Sequence, residues 1–253
     1  MPISVIIKRV IKTALLVVLV LNINAQGTFK ASQLKYDRVK KAYKTKFDDL
    51  KKELTTAGFD VNTYEIYLQV FKYEKEVQVW MRSKGDTKFK LFKTYKICSS
   101  SGELGPKRVQ GDGQVPEGFY YIESFNPVSS YHLSMKVGYP NKSDSKKANG
   151  SPGGDIMIHG NCVTIGCIPI ENDPIEELYI LCVEAKDRKQ NLRVDMFPCK
   201  FTPDKVKALN EKFSKEMNAF WETIKSGYDY FETNRTIPKF SIDDKGNYII
   251  PKQ

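Results

Sequence analysis

The chain has 253 residues, enough for one well-cored domain with additions, or at most two small domains. Lys and Arg outnumber Asp and Glu by 40 to 30, a formal charge of +10; in an exported protein this suits anionic polymers or acidic peptides, including a cell wall, better than nucleic acid, with a merely solvated basic surface as the alternative. Five cysteines, at 98, 162, 167, 182 and 199, are too few for a disulfide scaffold at this length, and their odd number leaves at least one thiol unpaired within a single molecule.

The first 25 residues stand apart: Lys8, Arg9 and Lys12 form a basic start, Ala14 to Leu21 an unbroken apolar run, and Ala25 ends a small-residue stretch. This reads as a secretory signal peptide cleaved after Ala25, with Ile23 standing where a small residue is preferred. An apolar run of eight is well short of the roughly 20 residues of a spanning helix, and no cysteine at the boundary carries a lipid, so permanent anchoring is the weaker reading. Cleavage lowers the formal charge to +7, because the segment holds three cations and no acid. The expected location is the periplasm or another exported compartment of a bacterium.

From Phe29 to Ala57, apolar residues at Leu34, Val39, Ala42, Tyr43, Phe47, Leu50 and Leu54 keep a helical rhythm that Gly58 terminates. Residues 63–98 are dense in Tyr, Phe, Val and Trp and read as strands in hairpins, broken by the turn Ser83 to Asp86. A Gly, Pro, Ser and Asn-rich stretch follows, with strand-like pieces GFYYIESF and YHLSMKV between large loops, the usual place for a substrate site on a β scaffold. Asp155 to His159 is a short apolar strand and Cys167 to Ile170 begins another; Asp173 and Pro174 look like the cap and first position of a helix running to about Asp187. LRVDMF at 192–197 is one more strand, and Thr202 before Pro203 starts a helix with apolar positions from Val206 through Ile224. The fold class expected is α+β, mostly β between N-terminal and C-terminal amphipathic helices. The divisions are 1–25, 26–60, 61–200 and 201–253.

Chemistry concentrates in IMIHGNCVTIGCIPI, which holds one of only two histidines. A cysteine nucleophile needs a base to make it a thiolate, and a neutral imidazole is the fitting partner near physiological pH. His159 falls at the end of a buried strand, and Cys167 opens the next extended segment after seven residues that can return the chain alongside. Gly160 leaves room for a carbonyl that orients the ring, and Gly166 permits a turn whose backbone N–H groups, with that of Cys167, would hold an oxyanion. Two other readings stand beside this one. His159, Cys162 and Cys167 offer three zinc-type ligands, though their spacing fits no common zinc pattern, and a buried histidine with two buried cysteines needs no function at all.

The same stretch resembles the active-site signature of the L,D-transpeptidase catalytic domain (YkuD-type) family, in which a histidine followed by Gly or Ser precedes a Ser or Thr, any residue, Gly and the catalytic Cys. Here these are His159, Gly160, Thr164, Ile165, Gly166 and Cys167. VPEGFY at 115–120 looks like that family's strand entry, and LGPKRVQGDGQVPEG, NPVSSYHLSMKVGYPN and IMIHGNCVTIGC together resemble its YafK-like branch, over roughly residues 30–250. The resemblance implies a mostly β, sandwich-like catalytic domain at 61–200 acting on peptidoglycan stem peptides. Its cysteine attacks a carbonyl between an L-centre and a D-centre and passes the acyl group to an amine. The YafK-like branch implies instead hydrolysis that frees wall-attached lipoprotein. Two departures stand out: Pro169 replaces an Arg common two positions after the cysteine, and the His-to-Cys connection is short.

The expectation is therefore an exported acyl-transfer enzyme with Cys167 as nucleophile and His159 as base, needing no metal or organic cofactor, no nucleic acid and no stable membrane span. The alternatives are an amidase or L,D-carboxypeptidase of the same family and a non-catalytic wall-binding module. Thr164, Lys107, Tyr131, and with them Arg108, Asp112 and His132, are candidates for substrate contacts, each with an ordinary solvated or core role beside it. Cys162 reads as a small packed residue or a redox partner of Cys167. Cys98, Cys182 and Cys199 read as buried thiols, with a bridge between the last two conceivable. A working thiolate would react with iodoacetamide at Cys167 well below pH 8.

Overall fold

The computed structural model describes residues 28–251, so the signal-peptide reading lies outside the described residues. The N-terminal helical rhythm is split in two, α1 (Phe29–Gln33) and α2 (Asp37–Thr56). The strand-rich region that follows forms β1 (Glu65–Phe71), β2 (Glu76–Arg82) and β3 (Lys90–Lys96). Next come β4 (Gly118–Asn126), β5 (Ser134–Val137), a short α3 (Lys142–Lys147), β6 (Met157–His159) and β7 (Ile168–Pro169). The chain continues through α4 (Asn172–Asp187), β8 (Arg193–Phe197), α5 (Pro203–Lys212), α6 (Lys215–Asn234) and a hairpin of β9 (Ser241–Ile242) and β10 (Tyr248–Ile249).

Eight strands form one sheet in the order β3-β2-β1-β8-β4-β5-β6-β7. β1 with β8 and β6 with β7 are parallel, and the other pairs are antiparallel. The sandwich-like layout expected from the resemblance is thus a single α+β sheet covered on both faces. Strand alternation explains why. Ile66, Leu68 and Val70 of β1 join the core built with Leu50 and Leu54 of α2 and Leu178 and Leu181 of α4. Phe71 turns the other way, to Phe119, Phe197, Trp221 and Ile224 beneath α5 and α6.

Two sequence expectations about helix ends are corrected, those at Asp173 and at Phe213, and the one at Thr202 is met. Asp173 is not the cap of α4; that helix starts after Glu171, which has a φ of 67° and no side-chain capping bond, and Asp173 instead pairs with Lys46 at 3.0 Å. Thr202 is the N-cap residue of α5 but makes no side-chain capping bond. The single C-terminal helix breaks at Phe213, where Ser214 caps α6 by accepting from the Met217 N–H.

Gly227 shows how tightly α6 lies on the sheet, since a Cβ there would stand 2.5 Å from the Phe119 ring. Alanine at a helix interior ordinarily stabilises by up to about 1 kcal/mol over glycine. Here Gly227→Ala is expected to destabilise by about 1–3 kcal/mol through overpacking, and denaturant unfolding of the two proteins checks the sign.

Candidate active site

Ile158 pairs with Ile168 and His159 with Pro169 in parallel register. One step back along the ladder, Cys167 comes beside Met157, whose backbone N–H reaches the sulfur. Alternation then puts the 157 and 159 side chains on one face of the strand, so thiol and imidazole share an edge of the sheet. Parallel strands usually need a longer crossover than the eight residues used here; glycine and left-handed backbone make it possible. Asn161 has a φ of 61° and Gly166 a φ of 134°. At Gly160 a Cβ would meet Asn172 Oδ1 at 2.7 Å and the Tyr131 carbonyl at 2.9 Å, so only glycine fits.

His159 is 1% exposed. Its Nδ1 lies 2.5 Å from the Gly160 carbonyl oxygen, an acceptor only, so Nδ1 carries the proton and Nε2 has the free lone pair. The Tyr131 ring packs over the imidazole, centroids 4.9 Å apart. Burial pushes the imidazole pKa down against the smaller opposing effect of the Gly160 carbonyl.

Cys167 is half-buried and free, with Sγ 3.6 Å from the Asp155 carbonyl. Burial raises its thiol pKa, outweighing the Met157 N–H and the more distant Lys107 cation, which lower it, while Asp155 raises it further. The resting pair is therefore neutral thiol and neutral imidazole. Neither shift favours the standing thiolate that alkylation well below pH 8 would require. The sulfur opens onto a cleft of about 320 Å³ between the β1–β2 turn and the segment at 99–104.

The Thr164 hydroxyl accepts from the Gly166 N–H at 3.2 Å and the Cys167 N–H at 2.8 Å, and donates to the Cys167 carbonyl at 2.9 Å. Two expectations change with it. Thr164 holds its own loop instead of offering itself to a substrate, and the two N–H groups assigned to an oxyanion are turned into that loop.

Lys107 is likewise withdrawn, 5% exposed with its ammonium 2.5 Å from Asp112 and 2.8 Å from the Val109 carbonyl. Asp112 spends its other oxygen on the Arg108 and Val109 N–H groups, and Arg108 turns to Asp144. His132 points at Glu176, 2.7 Å away, while its carbonyl accepts from Arg38, so it secures α2 and α4. Tyr131, 46% exposed above His159, remains available to a ligand.

Cys98 and Cys162 form a disulfide, which corrects the readings of Cys98 as a buried thiol and of Cys162 as a packed residue or partner of Cys167. The bridge ties the end of β3 to the middle of the His159–Cys167 connection and takes Cys162 out of the three-ligand zinc set. Cys182 and Cys199 are both free and buried.

Sequence reasoning missed Lys72 and Glu117. The Lys72 ammonium donates to the Gly105 carbonyl at 2.7 Å and the Val115 carbonyl at 2.9 Å, and pairs with Glu117 at 3.1 Å. Glu117 also accepts from the Gly105 N–H at 2.8 Å and the Trp221 indole at 2.6 Å. Together they fix the cleft wall formed by residues 105–117. A Lys in the turn just after β1 carries no local sign of this; only the sheet order β1-β8-β4 brings the groups together.

Two outcomes follow. Cys98→Ser and Cys162→Ser should each lose stability to the same extent, with the double variant no worse than either; closing a loop of 64 residues is worth about 4 kcal/mol in the chain-entropy account, and chemical denaturation measures it. Iodoacetamide labelling of Cys167, followed by mass spectrometry across pH, should rise only in the alkaline range above the ordinary thiol value of 9.0.

Comparison with known proteins gives the site its setting. Residues 66–194 match the YkuD L,D-transpeptidase catalytic domain. The chain is 37% identical over 190 residues to the Escherichia coli K12 protein named "Putative L,D-transpeptidase YafK", covering 74% of each. Among solved structures, the helical cell shape determining protein Pgp2 from Campylobacter jejuni aligns with a TM-score of 0.43 at 19% identity, covering 77% of this chain and 80% of that one. L,D-transpeptidase 1 from Mycobacterium tuberculosis aligns at 0.31 and 13%, covering 53% and 62%. With a family match across the sheet and a 37% identical relative over three quarters of its length, this chain belongs to the L,D-transpeptidase catalytic domain (YkuD) family.

Proposed function

We propose that this protein is an exported cysteine acyl-transfer enzyme acting on peptidoglycan stem peptides, with Cys167 as nucleophile and His159 as base and then acid. The observation that carries the reading is the imidazole whose Nδ1 is tied to the Gly160 carbonyl, on the strand paired with the one that leads out of Cys167, beside a cleft that reaches the sulfur. Nε2 takes the thiol proton as sulfur bonds to the scissile carbonyl carbon. The carbon–nitrogen bond then breaks, and the imidazolium returns the proton to the departing amine. A thioester remains. An amine from a second stem attacks it in a transferase, and water does so in a hydrolase of the same family.

Because both groups start neutral, the proton moves during attack and not beforehand. His159 must be unprotonated, so activity is retained above its pKa and lost below it. With that pKa depressed by burial, the acid limb of kcat/KM should lie below the ordinary histidine value of 6.5, and a limb at or above that value contradicts the assignment. Cys167→Ala should cost about a thousandfold or more, and His159→Ala about a hundred- to ten-thousandfold. The substrate test is incubation with purified sacculi and mass analysis of the products. New crosslinks mean a transferase, shortened stems a carboxypeptidase, and freed protein fragments an amidase; intact sacculi would remove the enzyme reading in favour of a wall-binding module.

A further inference from the structure

The bond from Nδ1 to the Gly160 carbonyl fixes the tautomer of His159, but one hydrogen bond does not fix the plane of a ring. Tyr131 supplies the second constraint, its ring over the imidazole with planes 38° apart. Tyr131 is nearly half exposed, and it stands beside His132, whose φ of 70° is one a histidine seldom adopts. Such a turn needs a hold from outside. Arg38, in the first turn of α2, provides it. Its Nη1 donates to the Ser129 carbonyl at 2.7 Å and to the His132 carbonyl, so one nitrogen grips the chain on both sides of Tyr131. Among the described residues the guanidinium has no carboxylate partner; its charge is spent on these two carbonyls. Ser129 Oγ accepts in turn from the Tyr131 N–H at 3.1 Å. A Cβ at Gly160 would lie 2.9 Å from both the Tyr131 carbonyl and the His132 Cβ, so the gripped turn rests on the residue that follows the base.

Arg38 lies outside residues 66–194, the span that matches the family domain, so the base is braced by a helix beyond the matched sheet. We propose that Arg38 is a positioning residue for His159: it clamps the 129–132 turn so that the Tyr131 ring covers the imidazole and sets its plane for proton transfer from Cys167. This rests on the catalytic reading above, in which Nε2 takes the thiol proton. Misplacing a reacting group by about 1 Å costs up to about a hundredfold in rate, which is the size of effect a loosened turn can produce. The titratable groups at this edge are the Tyr131 phenol, on the turn, and the Cys167 thiol, on the paired segment. Among the described residues no charged side chain shifts the imidazole; burial does.

The test reads geometry and turnover separately. The chain has only two histidines, so proton NMR of the full chain resolves each imidazole, and His159→Ala identifies the His159 signal by its loss. In the unaltered protein that signal should show contact with the Tyr131 ring and titrate below the ordinary value of 6.5. Arg38→Gln and Tyr131→Leu should each remove the contact and raise the titration towards 6.5, because water readmitted to the ring favours its charged form. Tyr131→Phe keeps the ring and should keep both features. On saturating sacculi, Arg38→Gln and Tyr131→Leu should each slow turnover about ten- to a hundredfold. The double variant should be no slower than Tyr131→Leu, because Arg38 acts through that ring, and Tyr131→Phe should recover most of what Tyr131→Leu loses. Arg38 is half-buried and Tyr131 exposed, so these changes leave the core intact, and denaturant midpoints set conditions in which every variant is folded. Additive losses in the double variant, or an unaltered His159 signal in Arg38→Gln, overturn the proposal. A loss in Tyr131→Phe as large as in Tyr131→Leu also overturns it, by giving the role to the phenol hydroxyl. Signals that change as expected in a protein that leaves sacculi intact defeat the enzyme reading alone, and turnover with an unaltered signal in Arg38→Gln defeats this one alone.

Discussion

The site depends on a very small piece of parallel pairing, three residues of β6 against two of β7 at the edge of the sheet. So short a ladder has little strength of its own. Its register is fixed by what surrounds it. Ile158, Ile168 and Ile170 are all buried in the main core, and a slip by one residue would turn each of them to the opposite face. β5 holds the far side of β6 through Ser134 opposite His159 and Met135 opposite Ile158. The Cys98–Cys162 bridge and the Thr164 hydroxyl then shape the return loop. Core, neighbouring strand and crosslink converge on one outcome, the histidine and the cysteine on one face of one edge.

Electrostatics at that edge follow from the same burial. Taking an imidazole and a thiol out of water disfavours the charged form of each, so the histidine pKa falls and the cysteine pKa rises. Lys107 is too committed to Asp112, and too distant, to reverse this. Both shifts favour the neutral forms, so in the reaction proposed above charge appears only when sulfur engages an electrophile.

What the sequence made legible was local. The histidine at a strand end, glycine after it, the turn before the cysteine and the strand-rich region at 63–98 each carry their signal in a few adjacent residues, and each is where it was expected. The misreadings share a different cause. Apolar periodicity runs on through Leu34 and Phe213, so the breaks after α1 and α5 leave no mark in the pattern; the hydrophobic stripe does not record a change of axis. Cys98 and Cys162 are 64 residues apart, and nothing in spacing selects that pairing over others. Lys107 read as a candidate substrate contact with a solvated role beside it, and only the folded loop reveals that it and Asp112 neutralise each other in a nearly buried position.

Glu117 shows why the C-terminal helices belong to the site and are not an appendage. A carboxylate with no solvent exposure is costly unless its lone pairs are filled. Lys72, the Gly105 N–H and the Trp221 indole fill them, from the turn after β1, from the cleft loop and from α6 respectively. Removing any one donor strands charge in an apolar setting, so the three segments are energetically coupled through a single side chain. Trp221 is itself clamped edge-on by Phe213, centroids 4.8 Å apart, at the very break between α5 and α6. The packing of the last two helices is thereby transmitted to residues 105–117. The wall of the cleft that faces Cys167 is held in place from the opposite side of the sheet.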